Sequence, residues 1–143
     1  MTYAVKQDLI DRFGERELVQ LTDRTNKPQT TVDDTVVGRA LADADGAIDG
    51  YVGKQYALPL SVVPPVLTKI AADLARYYLH GEAAGPDSIV TRNYNGAIAW
   101  LKDVAKGLVS IDDGGDTPAQ AGGGAIKTSA PSRVFTRDSL KGL

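Results

Sequence analysis

Apolar residues recur at helical spacing in four stretches of the chain, separated by breaks rich in proline and glycine. The first stretch, Ala4 to Leu21, carries Leu9, Ile10, Phe13, Leu18 and Leu21, with Gly14 interrupting it. Its expected form is two short pieces of helix bent at that glycine. The second opens at Thr31-Val32-Asp33-Asp34, where Thr31 can cap and Asp34 stands at the third helical position, a carboxylate variant of the capping box. Val37, Leu41, Ala44, Ile48 and Tyr51 or Val52 follow at intervals of four and three. They make one continuous stripe, so this is a core-facing helix of about five turns.

Pro59, Pro64 and Pro65 stop that helix from continuing, because they remove donors and push the residues before them toward extended backbone. Leu58, Leu60, Val62 and Val63 are apolar, and the connection is predicted to lie across the core. A third helix begins near Pro65, a favoured first-turn residue, and runs through Leu67, Ile70, Ala71, Leu74 and Tyr78 to Gly81. The fourth starts near Pro86 and repeats Val90, Tyr94, Ala97, Leu101, Val104 and Leu108, with Gly107 as its break. Residues 111–127 then turn to glycine, proline and small polar residues, a linker composition without a packable face. Apolar residues return in the stretch 128–143 as Val134, Phe135, Leu140 and Leu143 beside Arg133 and Arg137. A spacer followed by an amphipathic peptide points to a docking arm. The expected fold is therefore all-α: a small bundle of about four helices over residues 1–110, the linker, and an extended C-terminal arm over 128–143.

The chain's 143 residues, 43% hydrophobic and 24% charged, suit one globular domain with a modest core. There is no cysteine, which removes disulfides, thiolate metal sites and cysteine nucleophiles. The start is charged within its first ten residues, and no stretch approaches about 18 uninterrupted apolar residues, so neither a signal peptide nor a membrane span is expected. Charge is unevenly spread. Residues 1–113 hold 12 Lys/Arg against 16 Asp/Glu, whereas residues 114–143 hold four against two. An acidic body argues against tight binding to duplex DNA, which calls for a basic stripe.

Candidate chemistry is sparse. Asp43, Asp45 and Asp49 resemble a calcium loop at first glance, but aligning Asp45-Gly46 with that motif puts Leu41 and Val52 at its essential ligand positions. On the second helix Asp45 and Asp49 lie four apart on one side, with Asp43 displaced around the axis. They read as an acidic edge that is solvated, faces a neighbouring subunit or lines a channel; a metal site is the remote alternative. His80, the single histidine, sits at a helix C-terminus, where the dipole favours it. The string from Gly122 to Ser129 has a glycine run and Lys127-Thr128, but Ile126 occupies the place where a phosphate loop needs glycine. Asp33/Asp34 and Asp112/Asp113 fall at a helix start and a turn. Trp100 and the tyrosines at 51, 56, 77, 78 and 94 occur among apolar residues, as packing aromatics do. No catalytic site, cofactor or metal is expected, and the protein is not expected to be an enzyme.

Four segments carry a resemblance: AVKQDLIDRFGERELVQLTD, VVGRALADADGAIDGYVGKQYALPL, VPPVLTKIAADLARYYLHG and RNYNGAIAWLKDVAKGLVSI, in that order over about residues 3 to 111. The chain resembles the Mu-like gp36 group of tailed-phage proteins, and its terminal VFTRDSLKGL also looks like that group's end. Gly46 and Ala47 soften the long helix where longer polar residues are commoner. The resemblance implies a head-to-tail adaptor, located in the virion neck between capsid and tail after synthesis in the host cytoplasm. Such proteins form a homo-oligomeric, dodecameric ring under the portal protein, with a tail or neck protein below and DNA passing through without specific binding; no membrane is involved. The residues expected to dock on the portal or a neighbour are Arg133, Val134, Phe135, Arg137, Leu140 and Leu143. A channel-closing stopper is the near alternative, and a DNA-binding helical regulator or a small metal-dependent hydrolase are more distant ones.

Overall fold

The computed structural model describes residues 1–112 and 114. Among these residues there is no strand, and the chain forms five helices: α1 (Lys6–Phe13), α2 (Glu15–Thr22), α3 (Asp34–Val52), α4 (Pro65–His80) and α5 (Ile89–Ala105). A 3-10 turn, Gly81–Ala83, follows α4. The all-α expectation holds, with the first apolar stretch divided into α1 and α2. Asp8 reaches back to the Val5 N–H at 2.8 Å and satisfies a donor at the start of α1. Gly14 ends α1 at φ 86°, a conformation that side chains with a Cβ rarely adopt, and α2 begins on the next residue. That elbow is why one apolar pattern becomes two helices.

The cap of α3 differs from the sequence expectation. Asp33, not Thr31, supplies it, accepting the N–H of Thr35 at 2.9 Å and of Val36 at 3.2 Å. Thr31 is drawn away because its own N–H donates to Asp23. The face of α3 turned inward carries Val37, Ala40, Ala44, Ile48 and Val52, with Leu41 and Tyr51 half-buried at its margins. The fourth predicted helix starts later than Pro86: Ser88 caps α5, its Oγ accepting the Thr91 N–H at 3.1 Å.

Helix α4 is the centre of the bundle. The spacing predicts a single stripe through Leu67, Ile70, Ala71, Leu74 and Tyr78, yet every residue from Ile70 to Ala75 is buried, the signature of a helix enclosed on all sides. Alanines at 71, 72 and 75 leave room for α3 and α5, which both pack on α4. Asp73, buried among them, pairs with Lys69 at 2.7 Å.

The connection from α3 to α4 crosses the core only in part. Tyr56, Leu60 and Pro64 are buried, but Leu58 and Val62 are exposed, Val62 by 55%. The Tyr56 hydroxyl accepts the Ile111 N–H at 2.7 Å and draws the chain beyond α5 back against this connection. Leu108 departs from its predicted place in the α5 stripe. It lies past the helix end and is 72% exposed, because the helical phase is lost before it.

Three substitutions test this packing by urea unfolding. Leu74→Ala is expected to cost about 2–5 kcal/mol, and Leu108→Ala less than about 0.5 kcal/mol. Gly46→Ala is expected to stabilise by up to about 1 kcal/mol, since nothing lies within 4 Å of a Cβ added there. Equal losses for both leucines would contradict the burial pattern.

Candidate functional site

The N-terminal residues lie along one side of α3. The Met1 ammonium donates to Asp49 Oδ2 at 3.0 Å, the Tyr3 N–H to Asp45 Oδ1 at 3.0 Å and the Tyr3 hydroxyl to Asp49 Oδ1 at 2.5 Å. The Met1 sulfur also accepts the Leu60 N–H at 3.2 Å. Asp45 and Asp49 are therefore not part of a free acidic edge. They are half-buried and occupied inside their own chain, holding Tyr3 and Ala4 in the core. Helical spacing showed that the two share a side but could not show what covers it. Burial pushes the Asp45 carboxyl above its ordinary range against the pull of the Tyr3 N–H and the N-terminal ammonium. Burial, and then the Asp49 carboxylate, push the Tyr3 phenol well up. Asp43, on another side of the helix, is exposed.

A second tie joins α2 to α4. Glu17 receives two hydrogen bonds from the Arg76 guanidinium, at 2.7 and 2.9 Å, and its Oε1 lies 3.1 Å from His80 Nε2. Arg76 stacks over the Phe13 ring at 4.3 Å. Burial pushes the Glu17 carboxyl up, but Arg76 and His80 together outweigh it and hold the group below its usual value. His80 is thus more than a residue at a helix end. It sits one turn after Arg76, and both reach the same carboxylate.

The loop between α2 and α3 is organised by one buried side chain. Asp23 Oδ1 accepts from the Thr25 N–H, the Thr25 hydroxyl and the Asn26 N–H; Oδ2 accepts from the Asn26 side-chain amide and from the N–H groups of Thr30 and Thr31, all between 2.9 and 3.3 Å. The backbone N–H donors, led by those of Asn26 and Thr30, hold the Asp23 carboxyl far below its usual range. Thr22 locks the loop's ends, its hydroxyl donating to Leu18 O at 2.7 Å and accepting the Asp33 N–H at 3.0 Å. The run Asp23-Arg24-Thr25-Asn26 carried the signal for this, since aspartate and asparagine bond the backbone two or three residues on.

Two cavities open on this loop. One, of about 510 Å³, is lined by Asp23, Arg24, Asn26, Lys27, Pro28 and Gln29. The other, of about 150 Å³, lies between α3 and the end of α4 and is lined by Arg24, Val36, Arg39, Ala40, Asp43, Tyr78 and Leu79. Arg24 borders both.

No three His, Cys, Asp or Glu side chains among the described residues converge at metal-binding distance, and His80 has no serine or threonine partner in its hydrogen bonds. Tyr77 stacks on Tyr94 with centroids 3.9 Å apart, and Tyr78 meets both rings edge-on. These aromatics join α4 to α5. Arg133, Val134, Phe135, Arg137, Leu140 and Leu143, the predicted arm residues, lie outside the described residues, as does the linker beyond Gly114. No helix among the described residues is long and apolar enough to cross a membrane.

Comparison with known proteins places these features in context. A family model described as Bacteriophage Mu, Gp36 matches residues 3–128. The Mu-like prophage FluMu protein gp36 of Haemophilus influenzae is 34% identical over 144 residues, covering 99% of this chain and 97% of that protein. Gene product J of Escherichia phage Mu is 33% identical over 140 residues, covering 96% of each.

Two measurements probe the ties within the chain. Glu17→Gln is expected to lower the unfolding free energy by about 1–3 kcal/mol, because it leaves Arg76 and His80 facing a neutral amide. Asp23 has a folded pKa below its unfolded one, so its contribution is complete above the ordinary carboxylate range, near pH 4, and is lost as pH falls below it. Asp23→Asn should therefore destabilise the protein at neutral pH and weaken the fall in stability between about pH 5 and pH 2. An acid profile unchanged by the substitution would contradict the role given to Asp23.

Proposed function

The chain belongs to the Bacteriophage Mu Gp36 family and is a phage protein, and from that premise we propose that it is a head-to-tail connector of the adaptor type. Copies form a ring under the portal, extend the DNA channel and give the tail or a lower neck protein its attachment. The observation that carries this reading is a strand-free helical body, among the described residues, with net negative charge over residues 1–113. An acidic ring repels phosphates and lets a genome pass without sticking. Helical blocks of this size also offer side-by-side contacts that close into rings.

The work of such a protein is mechanical. Its body supplies shape, and the stretch 128–143 docks on the portal or on an adjacent subunit. Val134, Phe135 and Leu140 supply the apolar anchors, and Arg133 and Arg137 pair with carboxylates there. The stopper alternative is disfavoured because channel-closing neck proteins are usually rich in strands. A DNA-binding regulator needs a basic recognition helix, whereas the long α3 carries four aspartates and one arginine.

Electron microscopy of purified virions tests the assignment: density for this chain is expected as a ring, dodecameric on the adaptor reading, between capsid and tail. Deleting residues 128–143 should leave the urea unfolding midpoint of the body within error of the full chain while heads fail to join tails. Joining of heads to tails by the truncated chain would refute the arm's role.

A further inference from the structure

The cations around the α2–α3 loop have no task inside the chain. Arg24, Lys27 and Arg39 make no ion pair within 4 Å among the described residues. Asp43 lines the same cleft as Arg39, one helical turn on, and still does not pair with it. Asp23 keeps its charge but forms no ion pair with them, its oxygens being turned to donors of the loop itself. The two cavities share Arg24, and their lining, three cations against Asp23 and Asp43, makes a groove of net positive charge on a body that is acidic overall. Val36, Ala40 and Leu79 give the inner cleft an apolar floor. Tyr78 lines the same cleft, and a phenol is protonated at neutral pH and can serve as a donor.

A carboxylate fits such a groove. Guanidinium groups bind carboxylates through paired, charge-assisted hydrogen bonds, and a tyrosine hydroxyl adds a third donor. A nucleic-acid backbone fits less well, since it needs a run of cations along a surface and here would meet Asp43 at the lip and a net negative body beyond. An acidic stretch free of cations follows α5. Residues 107–126 contain Asp112, Asp113 and Asp116 and no Lys, Arg, Glu or His.

Chain length keeps Asp112 to Asp116 from the groove of their own copy. Ile111 is bonded to Tyr56, and a Cβ built on Gly114 would meet Val62, so the chain leaves the bundle beyond the C-terminal end of α3. The cleft lies at the other end of α3, around Val36 to Asp43. From Ala40 to Val52 alone the helix rises about 18 Å, while the four residue steps from Asp112 to Asp116 span at most about 14 Å. We propose that the groove formed by Arg24, Lys27, Arg39 and Tyr78 is the docking site for the acidic stretch Asp112 to Asp116 of a second copy. One end of each subunit then meets the opposite end of the next, a heterologous contact of the kind that closes into a ring. The inference rests on the ring reading given above and names the contact that joins its members.

The test titrates isotope-labelled full-length protein, diluted until it sediments as a monomer, with an acetylated and amidated peptide of residues 109–117. Saturable NMR shifts are expected at Arg24, Arg39 and Tyr78. Affinity should fall at least about tenfold in the double variant R24E/R39E, and the shifts should fade in high salt. Both arginines are exposed, so the circular dichroism of that variant should match the parent's. In mixtures of full chains, R24E/R39E combined with D112K/D113K should recover association that either variant lacks alone.

An absence of saturable shifts, shifts spread over the body, or equal shifts from a peptide with asparagine at its three acidic positions would overturn the assignment. So would a short DNA duplex that moved the same signals more strongly than the peptide. If the chain forms a ring in the neck and the peptide gives no saturable shift, this contact is wrong and the ring reading stands. If the shifts appear and no virion density contains the chain, the ring reading falls and the groove stands.

Discussion

From Ile70 to Ala75, α4 has no side turned to water, and the rest of the bundle is arranged by that demand. A helix enclosed on all sides needs neighbours on each flank, and a chain of this size has few to offer. Helices α3 and α5 take two flanks with their apolar stripes, while α1 and α2 cover the remainder. The alanines of α4 keep those neighbours close, so the larger side chains, Leu67, Ile70 and Leu74, interlock with Ile48, Leu101 and the rest of the core. One charge, that of Asp73, is carried into this region with Lys69 to accompany it.

The two short N-terminal helices are too brief to stand alone, since eight residues make little more than two turns. What holds them is the burial of Leu9 and Leu18 in the core, with polar ties added where apolar contact runs out. Glu17 binds Arg76 and His80, the N-terminal segment is caught by Asp45 and Asp49, and Thr22 clasps the start of the following loop. Each tie satisfies groups that would otherwise be half-buried without partners, which explains why so many charged residues lie close to the core and few of them are idle. The cations lining the groove stand out against that economy.

Periodicity made most of the fold legible. The stripe Val37, Ala44, Ile48 and Val52 faces inward as spaced, and Pro65, Gly14 and Gly81 mark the boundaries their backbone restrictions imply. Periodicity could not show what meets a polar side. The residues Asp45 and Asp49 have the spacing of a wet edge and the environment of a clamp, because their partners come from residues more than forty positions away. The same limit hid Glu17, whose partners lie on α4, and Leu108, whose exposure depends on where α5 ends. Cap choice was decided locally but by competition. Thr31 and Asp33 are both acceptable at a helix start, and the pull of Asp23 on the loop settled which one serves.

The loop built on Asp23 separates its form from its surface. Of the six donors that converge on that carboxylate, four are main-chain amides, which every residue type but proline provides. The side chains of Arg24 and Lys27, which face outward, take no part in that convergence. Lineages are thus free to rewrite those letters and change which partners they recognise, while the turn beneath keeps its shape and the bundle never registers the exchange.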